Sequence, residues 1–264
     1  GTKRLPPPIV AGHAVMALAG LMPMPREAAT MGQPGWTLSQ SPESAANRSR
    51  WSGDAWLLAR QDTTTPITSG RGSYGRSQAG AVLRHDLAPD MPQRPQAYGR
   101  MVRALVGPPG AEAALGLSAR PIGFIPVRVA VEGRALLDGP AAGEVRPAAF
   151  AHSELPPVEL PQGLRGEAYA QAGYVDGQFA TAFVDGQARV DRAILQEPLG
   201  EIRAGAGVWG GAQRGIERLD IGPGASVTLD LGQGQARASV DYRFRVAGRA
   251  EPSSGVAVTL STGF

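Results

Sequence analysis

The feature that most constrains the fold is a strict alternation of apolar and polar side chains along residues 235–246. One face carries Ala236, Ala238, Val240, Tyr242, Phe244 and Val246, and the other carries Gln235, Arg237, Ser239, Asp241, Arg243 and Arg245. A period of two is that of a β-strand with one apolar side and one wet side. Similar stretches follow one another over residues 164–264, which predicts a run of consecutive strands.

The same pattern extends back to Trp51 and predicts about twelve strands, with about ten to fourteen as the range. Each has about ten alternating residues followed by turn residues, as in transmembrane barrels. We place them near residues 51–60, 73–85, 97–106, 111–120, 127–134, 145–154, 165–172, 184–191, 201–208, 218–231, 235–246 and 256–264. The segment LPPVELP (155–161) interrupts the series, because proline does not fit inside a paired central strand.

Alternation alone also fits a soluble β-sandwich or β-barrel whose apolar face forms the core. Two features favour a membrane barrel. The wet faces carry Arg, Asp and Glu from strand to strand, which suits a lumen where such groups pair. The last strand closes on Phe264, which resembles the C-terminal signature of bacterial outer-membrane proteins. We therefore predict an all-β fold, an antiparallel transmembrane β-barrel of about twelve strands in the lipid of the bacterial outer membrane.

Composition and charge narrow the alternatives. The 264 residues include no Cys, which excludes disulfides and Cys-based metal sites. The formal net charge is +3, but the charges of both signs alternate along strands instead of forming a basic patch, so no nucleic-acid partner is expected. No apolar run reaches the ~18 residues of a transmembrane helix, whereas barrel strands need only about 9–11.

Residues 1–50 differ from the rest, so we divide the chain into this N-terminal segment and a barrel of residues 51–264. Three prolines at positions 6–8 predict an extended entry, and residues 13–21 predict a short apolar helix. The segment either packs on a neighbour or acts as a periplasmic plug or docking element that binds saccharide or other envelope proteins. We expect the chain to be the C-terminal part of a longer protein.

Candidate sites for other chemistry are weak. Residues 205–210 match GxGxxG but return to strand alternation, whereas dinucleotide binding needs a helix beginning there. The histidines lack metal-ligand spacing, so no metal or cofactor is expected. A lipase-like pairing of His152 with Ser153 is disfavoured because neighbouring residues of a strand point to opposite faces. We therefore expect that the protein is not an enzyme.

The charged wet face is the candidate functional surface. One interpretation is structural, with mixed charges holding a narrow barrel shut and rigid. The other is a polar path for hydrated or sugar-like solutes. The predicted lumen-lining residues are Arg128, Glu132, Arg134, Arg189, Arg203, Arg218, Asp220, Asp230, Arg237, Asp241, Arg243 and Arg245.

Three runs carry a resemblance to a known family: YAQAGYVDGQFATAFVDGQARVDR (169–192), GAGVWGGAQRGIERLDIGPGASVTL (205–229) and VDYRFRVAGRAEPSSGVAVTLSTGF (240–264). They resemble the C-terminal domain of the bacteriophage adsorption protein A family and outer-membrane proteins of sphingomonad-type α-proteobacteria. The plan is similar to that of the outer-membrane subunit of bacterial cellulose synthase. The resemblance implies a saccharide-export pore or envelope scaffold that is incidentally usable as a phage receptor, and it brings no catalytic residues.

The sequence thus predicts an envelope conduit or anchor linked to exopolysaccharide export. The alternative is a structural barrel that binds partners and anchors a larger envelope assembly without transport.

Overall fold

The computed structural model describes residues 49–61, 75–106, 110–139, 142–177, 180–198, 200–231 and 234–264. Most of the predicted N-terminal segment, residues 1–48, therefore lies outside the described residues. The strands within the described ranges are β1 (Trp51–Arg60), β2 (Gln78–Asp86), β3 (Gln96–Ala104), β4 (Ala111–Ala119), β5 (Val127–Leu136), β6 (Val145–Ser153), β7 (Val158–Leu160), β8 (Leu164–Val175), β9 (Thr181–Glu197), β10 (Gly200–Gln213), β11 (Ile216–Asp230), β12 (Gln235–Gly248) and β13 (Gly255–Gly263).

The strands form a closed antiparallel ring. Each long strand pairs with the next, and the ring closes where β1 pairs with β13 in the register Asp54↔Gly263 to Arg60↔Ala257. Backbone hydrogen bonds between Gly53 and Phe264, at 3.0 and 3.2 Å, extend this seam to the last residue. Closure leaves the long strands without an unpaired edge. The prediction of an antiparallel barrel of about twelve strands is confirmed, since twelve long strands of the described chain make up the ring.

The proline-rich interruption takes a specific form. Residues 158–160 make the short strand β7, which pairs with the start of β8 on the same edge that β6 occupies further along, and Pro161–Gly163 form a 3-10 turn before β8. The ring itself passes from β6 directly to β8, with Ala148 opposite Val175. The segment 155–161 is therefore a connection that folds back on the barrel wall.

The two faces of the wall are inverted relative to a soluble protein. Leu115 is 75% exposed and Val131 54% exposed on the outer face, whereas Glu112, Asp220 and Asp241 are fully buried on the inner face. Charged side chains are almost never fully buried unless they are paired. An apolar band around a closed barrel with a polar interior is the arrangement that spans a lipid bilayer. The chain is a transmembrane barrel of the bacterial outer membrane.

Strand lengths differ between the two halves of the barrel. Strands β1–β6 have 9 or 10 residues, whereas β9–β12 have 14 to 17. We call the end at which β1 begins and β13 finishes the terminal end, and the opposite end the distal end. No helix among the described residues is long and apolar enough to cross a membrane.

Small apolar groups complete the interior. Phe183 and Val175 pack with Ala148 beside Phe150, and Trp56 packs with Val102. These clusters are small because most inward positions carry polar or charged side chains.

Candidate functional site in the barrel interior

A first group of buried ion pairs fills the side of the lumen formed by β3–β6, and we call it the β3–β6 cluster. Nη2 of Arg100 lies 2.7 Å from the carboxylate oxygens of both Glu112 and Glu132. Nε of Arg134 donates to Glu132 at 2.5 Å, and Arg146 approaches Glu112 at 3.8 Å. These residues sit on neighbouring strands at inward positions, so strand pairing brings opposite charges together. The cluster cross-links this wall and occupies its lumen.

A second group lies where β1 approaches β11. Nη2 of Arg60 donates to Asp220 at 3.0 Å, and Nε of Arg218 donates to the same carboxylate at 2.8 Å. Arg218 also donates through Nη1 to the backbone carbonyl of Ala250 at 2.8 Å, in the connection between β12 and β13. Arg60 and Asp220 belong to strands separated by β12 and β13, so this pair links non-adjacent strands near the distal end.

A third group of ion pairs lines the wall formed by β8–β12. Glu167 accepts from Arg237 and from Arg165, each at 2.9 Å. Arg203 pairs with Asp191 and, at 2.6 Å, with Glu201. Glu167 on β8 and Arg237 on β12 lie on non-adjacent strands, so this pair also spans the interior.

The ion pairs of this third group border a cavity of about 820 Å³ on the terminal side of the barrel. We call it the lumenal cavity. It is lined by inward residues of β8–β13 and by the connection that contains β7. Its inner end is formed by Trp209, which is buried, with the guanidinium carbon of Arg243 4.5 Å from the indole centroid and that of Arg189 6.0 Å away. Asp241 pairs with Arg189 and approaches Arg243 at 3.8 Å beside it.

The predicted lumen-lining residues divide among these groups. Those that line the lumenal cavity are Arg189, Arg203, Asp230, Arg237, Asp241 and Arg243. Glu132 and Arg134 belong to the β3–β6 cluster, and Arg218 and Asp220 to the group near β1 and β11. Asp230 is exposed at the end of β11, at the mouth of the cavity. Arg245 is half-buried and donates to the carbonyl of Ala250 at 2.9 Å near the distal end.

The remaining predicted residue, Arg128, acts at the terminal end. Its Nε donates to Glu154 at 2.8 Å, and Arg120 donates to the other oxygen of Glu154 at 2.6 Å. Burial by itself would raise the pKa of the Glu154 carboxyl, but Arg128 and Arg120 outweigh that effect and hold the pKa below its ordinary value. Arg128 also donates to the carbonyl of Arg94 at 2.9 Å. Glu154 thus joins three connections at this end of the barrel.

Several inward charges were absent from the predicted set, among them Arg60, Arg100, Glu112, Glu167 and Asp191. The alternation of the sequence could have identified Glu112, Glu167 and Asp191 as inward-facing. Each lies an even number of positions from other polar residues of its strand, and therefore on the same face. Arg100 was harder to assign, because β3 carries Arg100 inward and Arg103 outward, which blurs its phase.

The weaker candidate motifs take structural roles. A Cβ at Gly205 would collide with the carbonyl oxygen of Val190 on β9, so the glycine allows close strand packing. The hydroxyl of Ser153 accepts from the backbone N–H of Ala170 at 2.9 Å, and Nδ1 of His152 lies 3.4 Å from the backbone oxygen of Ser153. The His152 ring therefore faces the Ser153 backbone instead of its hydroxyl.

Similarity to known proteins is found among solved structures of outer-membrane proteins. No family model and no curated protein matches the chain. Among solved structures, LpxR from Salmonella typhimurium is similar with 11% identity and a TM-score of 0.45, over 81% of this chain and 99% of that one. An outer-membrane channel from Pseudomonas putida F1 has 11% identity and a TM-score of 0.43, over 86% and 99%. A bacterial polysaccharide outer membrane secretin has 7% identity and a TM-score of 0.42, over 81% and 97%.

Proposed function

We propose that the protein is an outer-membrane conduit that admits hydrated, sugar-like solutes through the lumenal cavity, in the service of exopolysaccharide export. The observation that carries this proposal is the cavity itself, about 820 Å³ bounded by charged and hydrogen-bonding side chains inside a closed barrel. Sites for small ligands typically have volumes of about 300–1,000 Å³. A solute that keeps its hydrogen bonds while it passes through the membrane needs a wall of this kind.

Two features of the wall support a sugar-like solute. The lining of β9 and β12 offers amide and hydroxyl groups, including Gln187 and Ser239, between the paired charges. Among the described residues, the apolar part of the lining comes from alanine, proline and Trp209, with no larger aliphatic side chain. A lipid tail would find little apolar surface here, whereas a polyhydroxylated solute would find partners.

A second function is favoured by the β3–β6 cluster. Arg134 is 1% exposed and Glu112 fully buried, and together with Arg100 they occupy the lumen on that side. A barrel of about eight strands has an interior just filled by side chains, and porins of about 16–18 strands leave an aqueous channel, so twelve strands lie between these cases. The rival function is a closed barrel that anchors an envelope assembly, with residues 1–50 as its docking segment. Use as a phage receptor is compatible with either function.

Single-channel recording separates the conduit from the anchor. The full chain, reconstituted into planar lipid bilayers, should give discrete conductance steps. Trp209→Ala should raise the unit conductance, because it removes the indole that closes the inner end of the cavity. Trp56→Ala is the matched control, since Trp56 is also buried but packs against Val102 outside the cavity lining. If the folded and inserted barrel gives no conductance, either as the wild type or as Trp209→Ala, the conduit function is wrong and the anchor function is supported.

A further inference from the structure

We propose that the lumenal cavity selects an uncharged oligosaccharide over anionic and cationic ones of the same length. This inference rests on the proposed function, since it names the class of solute for the same cavity. It comes from the charge balance of the lining, from how those charges are paired, and from the polar groups that remain.

The lining is balanced in charge. Six arginines and six carboxylates are found among the described residues that bound the cavity. A site for an anionic saccharide would carry an excess of guanidinium groups, and a site for a cationic one an excess of carboxylates, because a buried charge needs a partner of opposite sign. The lining residues therefore carry no formal excess of charge of either sign.

The buried carboxylates of the lining are already paired with arginines. Glu167 holds both Arg237 and Arg165, and Asp241 holds Arg189. The face of Trp209 is covered by Arg243 at 4.5 Å. An anionic ligand bound at these pairs would have to take a guanidinium from its carboxylate and leave that carboxylate buried without a partner. Breaking a buried pair in this way is strongly unfavourable, which opposes binding of an ion.

Neutral hydrogen-bonding groups remain between the pairs. Gln187, Ser239, Thr259 and Ser261 line the cavity, and each supplies both a donor and an acceptor. Ser239 and Thr259 are largely buried, on neighbouring strands at directly paired positions. Hydroxyl groups of a sugar are donors and acceptors too, so an uncharged saccharide pairs with these groups without disturbing any ion pair.

Binding to the full-length protein in detergent tests the selectivity. The probes are maltohexaose as the neutral oligomer, hexagalacturonate as the anionic one and fully deacetylated chitohexaose as the cationic one, titrated by calorimetry. We expect maltohexaose to bind at least tenfold more tightly than either charged probe. Its affinity should change less than twofold between 50 and 500 mM salt, because salt screens interactions between charges.

A single substitution should redirect the preference. Glu167→Gln keeps the shape of the side chain but releases Arg237 and Arg165 from their shared carboxylate, which leaves the cavity with excess positive charge. We expect it to raise the affinity for hexagalacturonate at least tenfold and to leave that for maltohexaose within threefold. Glu132→Gln is the matched control. It makes the same exchange at a buried carboxylate that also holds two arginines, within the β3–β6 cluster, and that does not line the cavity.

The outcomes are distinct from those of the conductance experiment. Hexagalacturonate or chitohexaose binding the wild type as tightly as maltohexaose would overturn the selectivity and leave the conduit standing. An equal effect of Glu167→Gln and Glu132→Gln would also overturn it, since the preference would then follow total charge. If the protein conducts ions but binds none of the probes, the saccharide site is wrong and the conduit function stands. Preferential binding of maltohexaose without conductance would contradict the conduit and support the selectivity. Heat-modifiable migration of each variant in detergent gels confirms that it is folded.

Discussion

At the scale of single residues, the barrel interior depends on arginine. Arg134 is 1% exposed, yet its guanidinium is paired with Glu132 and lies 5.9 and 5.7 Å from the ring centroids of Phe150 and Phe183. A planar guanidinium can donate in its plane while its faces contact aromatic rings, which an ammonium group does not do as well. This explains how so many cations are buried next to apolar clusters.

Glu154 gives a pH-dependent prediction. Its pKa is held below the ordinary value, so the contact with Arg120 and Arg128 stabilises the terminal end above pH of about 4.3, the ordinary value for Glu. That stability is lost as the pH falls through the lower pKa of the folded state. We expect hydrogen exchange of the backbone amides at residues 120–126 to rise relative to the distal end on acidification.

The control for this prediction is Glu154→Gln. It should show faster exchange in residues 120–126 already at neutral pH and little further change in acid. Identical pH dependence in the variant and the wild type would rule out Glu154 as the group that titrates.

At the scale of elements, each strand separates lipid from lumen by parity alone. In β4, Leu115 and Leu117 point outward and are 75% and 56% exposed, while Glu112 and Ala114 are buried. Such a strand is stable only where its outer face meets lipid. The longer strands β9–β12, of 14 to 17 residues, build the wall that holds the lumenal cavity, and their alternation is interrupted by register shifts between β9 and β10 and between β11 and β12.

Leu115 gives a prediction at this scale. It lies at the middle of β4, so Leu115→Arg should destabilise the folded barrel by about 2–4 kcal/mol, the cost of a cationic side chain at the bilayer midplane. Urea unfolding in lipid vesicles, followed by tryptophan fluorescence, measures this change. Leu115→Ala should cost less. If Leu115→Arg changes the free energy of unfolding by less than about 0.5 kcal/mol, as a substitution on a water-exposed surface does, this face does not contact lipid.

At the scale of the whole molecule, closure decides which charges meet. Asp220 on β11 pairs with Arg60 on β1, and Glu167 on β8 pairs with Arg237 on β12, although neither pair lies on adjacent strands. These contacts exist only because the wall curves into a ring. The same curvature places the connection containing β7 beside the mouth of the lumenal cavity.

The seam between β1 and β13 is open to a direct test. Ala55 and Thr262 are paired across it and both are exposed, and the natural chain has no cysteine that would compete. Ala55→Cys with Thr262→Cys should form a disulfide on mild oxidation, because adjacent strands bring Cα atoms within the range a disulfide spans. The oxidised protein should also need a higher temperature to lose its folded band in detergent gels.

Ala55→Cys with Val131→Cys is the matched control for the seam. It places the second thiol on the outer face of β5, which is not paired with β1. Efficient cross-linking of this control, or none between residues 55 and 262, would contradict the register of closure.

The sequence by itself determined the strands and their two faces, because a period of two is a local property that needs no knowledge of neighbours. It therefore predicted β1 and β4 closely and assigned Asp241 and Arg243 to the wet face. It did not determine which partner each charge finds, where the cavity lies, or that Trp209 closes its inner end under Arg243. Those features depend on register, on closure of the ring and on contacts between distant strands, which only the tertiary structure decides.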